Sequence, residues 1–178
     1  RRVAPALLAK ALLGAGALAF LQCDYDLAAA RVEEALRLYR ETGSRLGVAE
    51  ALQRLGSICR ERGEYERARR FHEESLSLWR AAANEPRVAE SLNYLGMLAW
   101  LTGGAEAFAT CEEALAMFRR LGDGEGTAWA LINLGATASY TGKTDLANRL
   151  LRESLELCYG TGFTEGIAWS LDQLGRIA

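Results

Sequence analysis

The feature that most constrains this chain is a short pattern returning at a near-fixed interval: an alanine, a leucine three residues on, and a glycine four residues after that. The alanines are Ala9, Ala49, Ala89, Ala128 and Ala168, and the leucines are Leu12, Leu52, Leu92, Leu131 and Leu171. The glycines are Gly16, Gly56, Gly96, Gly135 and Gly175, stepping by 40, 40, 39 and 40 residues. Spacings of three and four put each set on one face of a helix. Glycine inside a helix costs about 1 kcal/mol relative to alanine, so five copies predict that a second helix approaches closely there. The chain is a repeat protein.

After each of the first four glycines comes a turn, at Cys23-Asp24-Tyr25, Gly63-Glu64-Tyr65, Gly103-Gly104 and Gly142-Lys143-Thr144. A second helix then carries its own small-residue frame: Ala28, Ala68, Ala107 and Ala147, followed by Ala35, Ser75, Ala114 and Ser154. Stop and start signals at Gly43-Ser44, Asn84-Glu85-Pro86, Gly122-Asp123-Gly124 and Gly160-Thr161-Gly162 separate the units. The spacing predicts first helices over 3–22, 44–62, 86–102, 125–141 and 163–178, and second helices over 24–42, 64–82, 104–121 and 143–159. The repeats then run 3–43, 44–84, 85–122 and 123–161, with a half repeat at 162–178, together one array over 1–178. The one-residue shortening of repeat three falls between Gly103 and Ala107, inside a turn. No segment alternates with a period of two, so no strand is expected and the fold class is all-α.

Half of the 178 residues are apolar, enough for a substantial core. Twenty-one basic against 23 acidic residues, with the signs interspersed, exclude the dense basic stripe that a nucleic-acid backbone requires. Cys23, Cys59, Cys111 and Cys158 show no C-x-x-C spacing, and reduced, buried, cytoplasmic thiols are expected. Arg1-Arg2 and the apolar run from Val3 to Leu21, with Cys23 after it, imitate a lipidated signal peptide. Lys10 interrupts the run, and Ala9, Leu12 and Gly16 keep the repeat register, so a first repeat helix is the reading. The missing initiator Met predicts a fragment of a longer protein, and no stretch is long and apolar enough for a membrane span.

Few residues suggest chemistry. Thr141-Gly142-Lys143-Thr144 ends like a phosphate-binding loop, but Thr137 stands where the leading glycine belongs and no strand precedes it. His72, the only histidine, leaves no metal cluster or histidine-dependent triad to assemble and is expected at the surface. The run Arg60 to Arg70 interleaves its arginines with glutamates, as a solvated face would, with pairs such as Glu66 to Arg69 or Arg70. Glu34, Glu74, Glu113 and Glu153 recur once per repeat and cannot meet at one substrate, so frame roles in helix-to-helix pairs are expected. No cofactor, no metal and no enzymatic activity are predicted.

In repeat two the frame reads Leu55, Gly56, Gly63, Tyr65, Ala68 and Ser75, and with its equivalents in the other units it resembles the tetratricopeptide repeat. A leucine replaces the family's usual aromatic in the first helix, and the unit has 40 residues rather than 34. HEAT and armadillo repeats share the length but not the glycine-then-alanine spacing. The resemblance implies a right-handed α-α superhelix (solenoid) of four helical hairpins plus a ninth helix. It also implies a concave groove lined by first helices. Counting from the glycines, the positions Leu13, Gln53, Asn93, Ile132 and Asp172 fall on it, then Ala17, Ser57, Met97, Ala136 and Arg176, then Phe20, Arg60, Trp100 and Ser139. From these the candidate ligand contacts are Gln53, Ser57, Arg60, Asn93, Met97, Trp100, Ile132, Ser139, Asp172 and Arg176.

Long variants of the repeat are similar to C-terminal arrays of bacterial STAND-type signalling ATPases and LuxR-like regulators. That likeness implies a cytoplasmic protein- or peptide-binding scaffold, the sensor module of a larger signalling or transcription-regulating protein, without direct nucleic-acid or membrane contact. The alternative is a structural self-assembly module. Leu171, Leu174 and Ala178 form an apolar stripe that predicts homo-oligomers through the C-terminal helix.

Overall fold

The computed structural model describes residues 4–177. Arg1-Arg2, the start of the first expected helix at Val3, and Ala178 of the apolar stripe lie outside them. Among the described residues there are nine α-helices and no strand. They are α1 (Pro5–Leu21), α2 (Tyr25–Glu41), α3 (Arg45–Glu61), α4 (Tyr65–Ala81), α5 (Glu85–Leu101), α6 (Ala107–Leu121), α7 (Gly124–Tyr140), α8 (Thr144–Thr161) and α9 (Thr164–Ile177). Two compact units contain them: Arg1–Asn84 with α1 to α4, and Glu85–Ala178 with α5 to α9. In the first, α1 packs on α2 and α3 on α4; in the second, α5 packs on α6, α7 on α8, and α9 on both α7 and α8.

One local device ends every helix that another follows. A residue with positive φ stands at Cys23, Gly43, Gly63, Ala83, Gly103, Gly122, Gly142 and Gly162, so the chain turns every 20 residues, once after 19. The amide of the next residue donates to the carbonyl five residues back, as Glu64 does to Cys59 and Lys143 to Ala138, both at 2.8 Å. This is the Schellman closure, whose left-handed residue favours glycine because a Cβ crowds the backbone there. Asp24, Ser44 and Asp123 then cap the following helix by accepting from the amides of Leu27, Gly47 and Gly126. The shortening of repeat three falls inside its turn: α6 has 15 residues where the earlier helices have 17, and a turn occupies the missing helical start.

The frame glycines are packing contacts. A Cβ on Gly16 would lie 2.5 Å from Val32 Cγ2, one on Gly56 2.5 Å from His72 Nε2, and one on Gly135 2.6 Å from Leu151 Cγ. On Gly96 it would overlap Cys111 Sγ, whereas nothing stands within 4 Å of Gly175. Val32, His72, Cys111 and Leu151 hold one register on α2, α4, α6 and α8, and all four are buried. His72 is therefore not the surface residue expected from sequence. It is fully enclosed, because its position faces the glycine of the preceding helix.

Beside each glycine the second helices close on the alanine row. Ser75 Oγ donates to the carbonyl of Ala49 at 2.8 Å, and Ser154 Oγ to that of Ala128 at 3.1 Å. A second glycine row, Gly47, Gly126 and Gly166, receives the end of the preceding second helix: Tyr39, Phe118 and Cys158 press against them. Cys59, Cys111 and Cys158 are buried as expected, but Cys23 is exposed because it occupies a turn.

Candidate functional site

The candidate contacts fall in both units, and packing treats them differently. In the Arg1–Asn84 unit, Gln53 is buried, and its Oε1 accepts from the indole N–H of Trp79 at 3.1 Å. It ties α3 to α4, so its position is part of the frame and not one left free for a ligand. Ser57 Oγ donates to the Gln53 carbonyl at 3.3 Å. Arg60 is half-buried and paired with Glu61 at 2.5 Å.

In the Glu85–Ala178 unit, Asn93 Oδ1 accepts from Asn133 Nδ2 at 2.9 Å, joining α5 to α7. Ile132 is buried between helices. Met97, Trp100 and Ser139 are half-buried, and Asp172 and Arg176 are exposed and paired to each other at 2.9 Å. Trp100 Nε1 is shut off from solvent without a hydrogen-bond partner among the described residues. Met97 and Trp100 lie three residues apart on one face of α5, and Asp172 and Arg176 four apart on one face of α9.

A further row, one turn earlier on the same helical faces, was missed from sequence: Lys10, Glu50, Glu90, Trp129 and Trp169. Trp129 is half-buried and sits edge-on to Phe163 at 5.7 Å and to Trp169 at 6.2 Å between ring centroids. Trp169 is 43% exposed. The signal was available, since two tryptophans 40 residues apart share one register that no packing rule fills.

The remaining motifs resolve into structure. Thr137, at the place of a phosphate loop's first glycine, is buried inside α7 with its hydroxyl donating to the Asn133 carbonyl. Lys143 lies over the Phe108 ring at 5.0 Å. In the charged run Arg67 pairs with Glu64 and Arg62 with Asp26, both at 2.6 Å, beside the Arg60–Glu61 pair, and Glu66 has no ion pair among the described residues. Among the recurring glutamates, Glu74 reaches Arg40 at 3.3 Å and Glu153 reaches Arg119, each from one second helix to another, while Glu34 meets only Arg31 of its own helix.

Electrostatics follow burial. Desolvation, with the Arg60 charge adding to it, holds His72 down to about 3, so the imidazole is neutral at ordinary pH. Burial pushes Cys111 up to about 12 and raises Cys59 and Cys158. These thiols stay protonated and are poor nucleophiles. Among the described residues no group of three His, Cys, Asp or Glu is placed to hold a metal ion, and no helix is long and apolar enough to cross a membrane.

No curated protein matches the chain significantly in sequence. Among solved structures it is similar to BtubC (BKLC) from P. vanneervenii, with 26% identity over 91% of this chain and 67% of that one and a TM-score of 0.79. RapI in its apo form superposes with a TM-score of 0.82 at 16% identity over 91% of this chain, and aspartyl phosphate phosphatase F from Bacillus subtilis with 0.85 at 12% identity over 97%. The chain spans 60% of RapI and 45% of the phosphatase, and at those identities the likeness is one of fold. The family model described as tetratricopeptide repeat matches residues 7–81, 48–105 and 87–159. Those matches cover most of the chain and coincide with the helical hairpins, so the chain belongs to the tetratricopeptide repeat family.

Proposed function

We propose that this chain is a non-catalytic scaffold that binds a protein or peptide segment, serving as the cytoplasmic sensor or regulatory module of a larger signalling or transcription-regulating protein. The observation that carries the reading is the first-helix face of the Glu85–Ala178 unit. There Trp100 and Trp129 are half-buried and Trp169 is 43% exposed, at registers outside the alanine-leucine-glycine frame. Large rigid side chains on packed helices lose little entropy on binding, and tryptophan is the residue type that most often dominates interface energetics. Membership of the repeat family supports a protein partner, and the RapI and phosphatase likenesses are compatible with a regulatory setting.

The second reading, self-assembly, rests on α9, where Leu171 is 49% exposed and Gly175 faces open space. A random dodecapeptide library selected on the full chain separates the two. Trp100→Ala should weaken the selected peptides by about 2 kcal/mol, roughly 30-fold, while Leu171→Glu with Leu174→Glu leaves them bound. If the α9 changes alter only the mass seen by light scattering, and no peptide depends on Trp100, the assembly reading replaces the scaffold one.

A further inference from the structure

Glu125 stands four residues before Trp129 on α7, and Glu165 four before Trp169 on α9. That spacing puts each carboxylate one helical turn from its indole on the same face, with about 5–6 Å between Cβ atoms. Both glutamates are exposed, and neither has an ion-pair or hydrogen-bond partner among the described residues. The one basic residue of α9, Arg176, is held by Asp172 at 2.9 Å. Two other partly open rings are covered by the chain's own cations, Phe71 by Arg67 at 5.8 Å and Phe108 by Lys143 at 5.0 Å. Trp129 and Trp169 have no such cover. The two indoles meet edge-on and Trp129 also meets Phe163 edge-on, so neighbouring rings restrict both tryptophans before any ligand arrives.

We propose that this patch of the Glu85–Ala178 unit receives arginine side chains of the partner segment, a guanidinium stacking on each indole and forking to the glutamate one turn away. The inference rests on the scaffold reading and names the chemistry of its ligand. A planar guanidinium fits because it can lie on an aromatic face and offer paired donors to a carboxylate at once, which a lysine ammonium cannot. Surplus negative charge beside an unoccupied π face supplies the complementarity. Helices α7 and α9 are in contact, at the roughly 8–10 Å axis separation of packed helices. Two arginines three residues apart on a polyproline II segment, with three residues per turn and a rise of about 3.1 Å, lie on one face about 9 Å apart and match that spacing.

The test uses the full chain and two probes: acetyl-Arg-Gly-Ser-Arg-amide, and the same peptide with citrulline for arginine, which keeps the shape and removes the charge. The chain has four tryptophans, so its indole N–H resonances are few and assignable. The arginine peptide should shift those of Trp129 and Trp169, and the citrulline peptide should bind at least 10-fold more weakly. Glu125→Gln with Glu165→Gln, exposed changes that leave the helices intact by circular dichroism, should cost the same factor. Equal binding of the two probes, or undiminished binding by the double variant, overturns the inference. Library peptides that need Trp100 but show no preference for arginine would sink this proposal and leave the scaffold reading standing. If no peptide of any charge binds, both fail.

Discussion

The single histidine offers the sharpest test of the packing argument. His72 is fully buried against Gly56 and held down to about 3, chiefly by desolvation. An unfolded histidine titrates near 6.5. Above about pH 7.5 both states are neutral and the group contributes no pH dependence. As pH falls through 6.5 the unfolded chain takes up a proton that the native state refuses, so native stability drops by about 1.4 kcal/mol per pH unit until pH approaches 3. Between pH 8 and pH 5 this one group removes about 2 kcal/mol. The other repeats supply the control, because Leu151 faces Gly135 in the register where His72 faces Gly56. His72→Leu should therefore fold, and urea titrations followed by helical circular dichroism should show it losing about 2 kcal/mol less than the parent chain between pH 8 and pH 5. Carboxylates that begin to titrate near pH 5 affect both proteins and cancel in the comparison. Equal losses in the two, or an imidazole NMR resonance that titrates near 6.5 in the native protein, would show that His72 reaches solvent and refute the packing account.

Two glycine changes of the same chemistry should move stability in opposite directions. Gly135→Ala drives a Cβ to 2.6 Å from the buried Leu151 Cγ and should cost about 1–2 kcal/mol net of its helix-propensity gain, whereas Gly14→Ala, exposed with nothing within 4 Å, should gain up to about 1 kcal/mol; denaturant midpoints that move the same way would contradict this. Ala83 closes α4 at φ +50 where six of the eight closures have glycine, so Ala83→Gly should stabilise by about 1 kcal/mol, and a lower melting temperature would show that the left-handed turn is not strained.

The helices were legible because their stop signals and small-residue frames are local. Every expected helix lies within a few residues of its place, from α1 to α9. Less legible was what stands opposite each frame residue. His72 reads as a polar surface residue until its register is matched with Val32, Cys111 and Leu151, which are plainly apolar. The second glycine row was hidden because repeat three carries Arg87 at that register. The closure period of 20 was obscured by Cys23 and Ala83, two residues that adopt positive φ without being glycine.

Variation between repeats is what separates a binding face from a frame, yet variation alone does not suffice. At one register Leu13, Gln53 and Ile132 are buried, Asn93 is half-buried and Asp172 is exposed. Gln53 differs from its counterparts not because the position is free but because Trp79 brings it an indole N–H that must be satisfied in a dry environment. Asn93 likewise answers Asn133. A variable polar residue therefore counts toward a ligand only when no neighbouring helix has claimed it. Glu125 and Glu165 meet that condition, since they vary from the other repeats and neither has an ion-pair or hydrogen-bond partner among the described residues.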